Sequence, residues 1–140
     1  MVDFVRFWGK SDIKFEKAGF VMKKLGVIRC QQTEDMCPGT RDFTTAQEGS
    51  GSLAENGIGA CEIVGFVSCG GCPGKKAVTR AQMLRDRGAE VIMLASCIGK
   101  GTPIGFPCPN KGLMLKAIKA KLGEDFPVLD YSHEPSGKKC

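Results

Sequence analysis

Four apolar, largely β-branched runs decide what this chain can fold into: Lys24–Cys30 (KLGVIRC), Cys61–Cys69 (CEIVGFVSC), Glu90–Cys97 (EVIMLASC) and Pro127–Ser132 (PVLDYS). Each is strand-sized and continuous rather than alternating, the pattern of strands covered on both faces in a parallel sheet. The stretches between them carry helix signals. Pro73–Gly88 has Pro73 for the first helical position, Gly88 for the stop, and a stripe of Ala77, Ala81 and Leu84. Asn110–Leu122 has Asn110 as a cap, Gly123 as the stop, and Leu113, Ala117 and Ile118 as the inward positions. The first crossover, Arg41–Gly57, is weaker: Asp42 or Thr44 could cap a helix that Gly49-Ser50-Gly51 interrupts. Strands alternating with helices predict a three-layer α/β sandwich, with a mostly parallel four-stranded sheet in the flavodoxin-like order 2-1-3-4.

The 140 residues suit one domain, and 42% apolar with 25% charged content is ordinary for a globular chain. Residues 22–134 hold the α/β pattern. Residues 1–21 read as a peripheral N-terminal arm, in which Trp8 packs, and residues 135–140 as a flexible tail. No apolar run reaches membrane-spanning length, and residues 1–20 lack the apolar centre of a secretory signal. A cytoplasmic location and no membrane partner are therefore expected. The net charge of +5 gathers partly on two helices, with Lys75, Lys76, Arg80, Arg85 and Arg87 on one and Lys111, Lys116, Lys119 and Lys121 on the other. Solvated helix faces account for this more simply than nucleic acid does, since no aromatic residues are interleaved to stack bases.

Eight cysteines are the compositional anomaly. Without a secretory signal they read as metal ligands or redox groups rather than disulfide staples. Their placement sharpens that reading. Cys30 ends strand 1 and Cys37 follows in its loop; Cys69 ends strand 2 and Cys72 opens the next helix. Cys97 ends strand 3, Cys108 lies in the loop after it, and His133, the only histidine, follows strand 4. In a parallel sheet the carboxyl ends share one edge, where open α/β sheets bind ligands. Cys61 starts strand 2 and belongs at the opposite edge as a small buried residue, and Cys140 is a terminal thiol.

Thiolates and imidazole are the ligands zinc prefers. In Cys69-Gly-Gly-Cys72, Gly70 and Gly71 permit a tight positive-φ turn that lets both sulfurs reach one ion, and a helix N-terminus at Cys72 would favour its thiolate. The strand ends make Cys30, Cys69, Cys72 and Cys97 the inner set, with Cys37, Cys108 and His133 reaching in from loops. Seven donors exceed the four that zinc needs. That leaves open one zinc beside an independent dithiol, two ions, or an iron–sulfur cluster. Thiol–disulfide exchange by Cys69 and Cys72 is the rival, although it leaves the other donors unexplained. A non-catalytic partner-binding domain using the arm and basic helices is the third reading. Glu34 and Asp35 read as solvated. Lys75 and Lys76 could screen thiolate charge, and Ser68 and Ser96 could hydrogen-bond the neighbouring sulfurs.

The combination VGFVSCGGCPGKK, preceded by IRCQQTEDMCPGT and followed by LASCIGKGTPIGFPCP, resembles the CGGC-domain family of small prokaryotic proteins. The likeness runs from about Lys24 to His133. It implies metal binding, with zinc foremost, through Cys30, Cys37, Cys69, Cys72, Cys97 and Cys108, with His133 matching a histidine after the last strand. It implies no catalytic activity. Relatives often carry a further histidine after the second Cys-Pro, where this chain has Asn110, which weakens any scheme needing two imidazoles.

Overall fold

The computed structural model describes residues 22–135. The expected arm (1–21), with Trp8, and Cys140 in the tail lie outside the described residues. Four parallel strands, β1 (Lys23–Arg29), β2 (Cys61–Ser68), β3 (Val91–Leu94) and β4 (Val128–Leu129), form one sheet in the order β2-β1-β3-β4. Helices α1 (Thr40–Glu48), α2 (Ser52–Glu55), α3 (Lys75–Asp86), α4 (Ser96–Gly99) and α5 (Lys111–Leu122) flank it, and a single 3-10 turn covers Gln31–Thr33. The α/β class and the strand order are those the apolar runs predict.

Burial follows position in the sheet. β3 is covered on both faces and all four of its residues are buried, whereas β2, at the edge, leaves Ile63 through Ser68 half-buried. Leu25, Val27 and Ile28 of β1 join Ile92, Met93 and Leu94 of β3 as the fully enclosed centre. α3 can lie close over β1 and β2 because two glycines face each other there. Gly26 pairs with Gly65, and a Cβ on either would come within 2.9 Å and 2.2 Å of the Leu84 side chain. The register skips Val64 at this point, so the edge strand carries a bulge where the leucine seats.

Several local expectations are corrected. β3 stops at Leu94, and Cys97 lies in the one-turn helix α4 rather than at a strand end. α3 begins at Lys75 with Gly74 as its N-cap, so Cys72 stands in the preceding turn and not at the cap. α5 buries Met114, Ile118 and Leu122, while Leu113 is 68% exposed and Ala117 is also exposed. The apolar pattern of α5 is nearly continuous, so its inward row depended on how it meets α3 and β4. α1 is capped by Gly39, and Asp42 is a buried residue within the helix rather than a cap. Gly88 and Gly123 close α3 and α5 as expected.

Candidate functional site

The carboxyl edge of the sheet is assembled by backbone register. Arg29 pairs with Ser68, and the next bond of that ladder is Cys69 N–H donating to Arg29 O at 2.7 Å. On the other side Ala95 N–H donates to Ile28 O at 2.8 Å, which brings α4 against the end of β1. Cys30 N–H then donates to Cys97 Sγ at 3.1 Å across 67 residues of sequence. Cys30, Cys69 and Cys97, from three adjacent strands and their extensions, therefore share one rim. All three are free thiols and all are buried.

Burial pushes the Cys30 thiol above its usual value. The nearby Cys97 and Cys69 add to that push, while backbone N–H groups of Gln32 and Thr33 partly offset it. Cys97 is likewise raised by burial, with opposing help from the Cys30 N–H and the Thr33 hydroxyl beside it.

The outer cysteines differ. Cys72 is the exposed free thiol of the set, presented by a turn in which Gly70 (φ 83°) and Gly71 (φ 102°) adopt the left-handed conformations the tetrad predicted. Cys108 is half-buried, and its N–H donates to Ile98 O at 2.9 Å, which ties its loop beside Cys97. Cys37 is buried and is not among the free thiols. Gly39 N–H donates to Cys37 Sγ and Asn110 N–H to Cys108 Sγ, each at 3.4 Å. Both are Cys-Pro-x turns, a repeated dipeptide legible in the sequence that turns an amide back onto sulfur.

Beneath the rim lies a buried polar network that sequence reasoning did not find. The Ser132 hydroxyl donates to Asp42 Oδ1 at 2.5 Å and accepts from Ser96 N–H at 3.0 Å. The Ser96 hydroxyl donates to His133 O at 2.5 Å and accepts from Ser132 N–H at 3.1 Å and His133 N–H at 2.8 Å. His133 Nε2 sits 3.9 Å from Asp42 Oδ1, with both side chains 6% exposed. Burial raises the Asp42 carboxyl, while Ser132, His133, Arg29 and Arg41 hold it back toward ionisation. The network fastens the segment after β4 to α1 and to the residue preceding Cys97. Ser96 thus serves backbone groups, not a sulfur.

Two arginines complete the frame. Arg29 donates to Thr33 O at 3.0 Å and to Cys37 O, and lies 5.8 Å above the Phe66 ring. Arg80 reaches from α3 to the Ser68 carbonyl at 3.0 Å and its hydroxyl at 2.9 Å, and that hydroxyl accepts from Gly70 N–H at 3.2 Å. Ser68 therefore anchors the glycine turn rather than a sulfur. No pattern in the sequence singles out Arg29, and Asp42 reads there only as a possible helix cap. Arg80 reads there as one of several helix-surface cations. Glu34 and Asp35 are exposed, as expected of solvated loop acids.

The donor set suits a soft ion in kind: three buried thiols at the carboxyl rim, an exposed fourth on the glycine turn, and amides aimed at sulfur. Among the described residues no three His, Cys, Asp or Glu side chains already stand at the spacing of a closed metal site.

Comparison with known proteins agrees with this pattern. The chain is 36% identical over 80 residues to an uncharacterized protein of Methanocaldococcus jannaschii, covering 53% of this chain. The match spans 61% of that relative's length. No solved structure matches. The CGGC domain model matches residues 24–133, from the start of β1 through His133 and across every cysteine of the rim. On that extent of agreement, the chain belongs to the CGGC domain family.

Proposed function

We propose that this chain is a metal-binding protein that holds a soft ion, zinc before others, through Cys30, Cys69 and Cys97, with Cys72 as the fourth sulfur. The single observation that carries the reading is the meeting of Cys30, Cys69 and Cys97 at one rim, with Cys30 N–H on Cys97 Sγ and both other sulfurs acting on Cys30. Burial favours the protonated form of Cys30 and Cys97, and a bound cation would stabilise their thiolates instead. Cys108 and His133 stand as outer contributors, in keeping with the tethered Cys108 loop and the Asp42 carboxylate beside His133, whereas Cys37 is disulfide-bonded and would join them only once reduced. A zinc ion held by four sulfurs would stabilise their thiolates in a closed tetrahedral site. The chain's own part is to aim amides at sulfur, exclude water from Cys30 and Cys97, and hold Cys69 through the Arg80–Ser68 anchor.

The test is anaerobic purification of the full chain with elemental analysis and an absorption spectrum. A colourless protein with stoichiometric zinc, and with thiols that react only after a chelator is added, is the expected result. A brown, oxygen-sensitive preparation would move the assignment to an iron–sulfur cluster. A metal-free protein would remove the reading.

One observation favours a second reading, thiol–disulfide exchange. Cys72 is exposed while Cys69, three residues away on the same glycine turn, is 6% exposed, the asymmetry of an attacking and a resolving thiol. Metal-free protein that reduces a model disulfide, with the activity lost in Cys72→Ser, would favour it.

A further inference from the structure

A groove of about 270 Å³ opens between α3 and α5 immediately beside the exposed thiol. Its walls are Pro73, the residue after Cys72, with Val78, Leu113, Met114 and Ala117, and Lys75 stands at its edge. Leu113 is 68% exposed, the most exposed large apolar side chain among the described residues. An aliphatic side chain left in water beside an apolar groove forgoes burial that a docked segment would supply.

Charge says what kind of partner fits. α3 carries Lys75, Lys76, Arg80 and Arg85 against Asp86 alone, and α5 carries Lys111, Lys116, Lys119 and Lys121 with no acid, so the two helices hold a net +7 while the whole chain holds +5. Arg80 serves Ser68, Arg85 lies 3.8 Å from Asp86, and Lys111 lies 3.8 Å from Asp130. Lys75 stands exposed at the groove itself, Lys116 is exposed one position before Ala117 on α5, and Lys76 is exposed on α3 but packs toward the Gly70 turn. A second copy would bring the same positive face against itself. The chain's own ends do not complement it either: residues 1–21 hold four basic and three acidic residues, and 136–140 only two lysines as charged side chains. Nucleic acid would find no ring to stack on, since neither helix contains an aromatic residue.

We propose that this groove docks an acidic polypeptide segment of a partner protein, seating one aliphatic side chain between α3 and α5 next to Cys72. The lysines steer the segment and the groove anchors it. Docking there places the partner's chain within reach of the site's exposed sulfur, the position from which a metal ion or a disulfide could be handed over. The inference stands apart from the identity of the metal, because the groove residues are not among the candidate ligands.

The test uses the full chain as purified and a fluorescein-labelled peptide of glutamates flanking a single leucine, read by fluorescence anisotropy. The expected result is binding that falls steeply between about 50 and 300 mM salt as screening shortens electrostatic range. It should be at least about tenfold weaker, or about 1.4 kcal/mol, when the peptide leucine becomes serine or its glutamates become lysines. Leu113→Asp and the Lys75→Glu/Lys116→Glu pair should weaken binding similarly while metal content and the circular dichroism spectrum stay unchanged. A photo-crosslinker at the leucine position should map to Pro73–Val78 or Leu113–Ala117. Affinity indifferent to Leu113→Asp, crosslinks on another face, or tighter binding of a single-stranded oligonucleotide of equal charge would each overturn the proposal. Loss of metal in Cys69→Ser with the peptide still bound would separate the two sites without harming it.

Discussion

The two ends of β2 carry cysteines in opposite circumstances. Cys61 opens the strand, 2% exposed, with its thiol 3.4 Å from the Gly59 carbonyl and no second cysteine acting on it. Cys69 follows the other end, hydrogen-bonded to Arg29 O, beside Cys30 and Cys97 and on the turn that exposes Cys72. Both thiols are buried, so burial does not separate a core cysteine from a candidate ligand. Position does. In a parallel sheet the amino ends meet only returning chain, whereas the carboxyl ends open onto loops free to vary, and ligands collect there.

The largest contrast should appear in metal content. Cys30→Ser and Cys97→Ser are expected to lose the metal, whereas Cys61→Ala keeps the full complement, by elemental analysis of anaerobically purified protein. Metal loss in Cys61→Ala alone would break the comparison. Next in size is thiol reactivity. In chelator-treated protein, mass spectrometry after alkylation should find Cys72 modified orders of magnitude faster than Cys61, because a buried thiol reacts only through opening of the fold. Equal rates would mean that the amino end of β2 frays as readily as the glycine turn.

Stability should then distinguish the polar network from the rest of the core. Ser132→Ala removes the donor to Asp42 and the acceptor for Ser96 N–H, leaving buried partners unsatisfied at about 1–3 kcal/mol in thermal or denaturant unfolding. The same variant should lower metal retention by loosening the segment that holds Cys97. An unchanged midpoint would show that the network is decoration.

The smallest effect concerns pH. Burial, opposed by Lys23 and abetted by Glu90, pushes the Cys61 thiol above 9.0, so the fold favours its protonated form. That contribution is complete below pH 9.0 and is lost as pH rises from there through the folded value. Replacing Cys61 with alanine should therefore make stability fall less steeply with pH above 9, measured by urea unfolding at several pH values. A steeper fall would contradict the buried-thiol assignment.

Strand class and order were legible because continuous β-branched runs such as EIVGFV and EVIML have one comfortable home, a sheet covered by helices. The cysteine spacing pointed to the carboxyl rim for the same reason: the first three runs end at a cysteine, and parallel strands put those ends together. Local placement was less legible. Cys97 belongs to α4 because β3 ends at Leu94, and Cys72 precedes the helix because Gly74 takes the cap. The inward row of α5 could not be chosen from KGLMLKAIKAKL, since Leu113 and Met114 are equally apolar and packing against α3 made the choice.

What the sequence determined alone is whatever a period or a spacing encodes: a parallel α/β layer, a glycine turn between two sulfurs, and a common edge for the motif cysteines. What only the tertiary structure decided is which distant side chains share a volume. Asp42 with Ser132, Arg80 with Ser68, and Cys30 N–H with Cys97 Sγ are separated by 90, 12 and 67 positions. Their pairing follows from helix docking on the sheet, where burial makes each unpaired polar group costly and so selects the partner that geometry brings within reach.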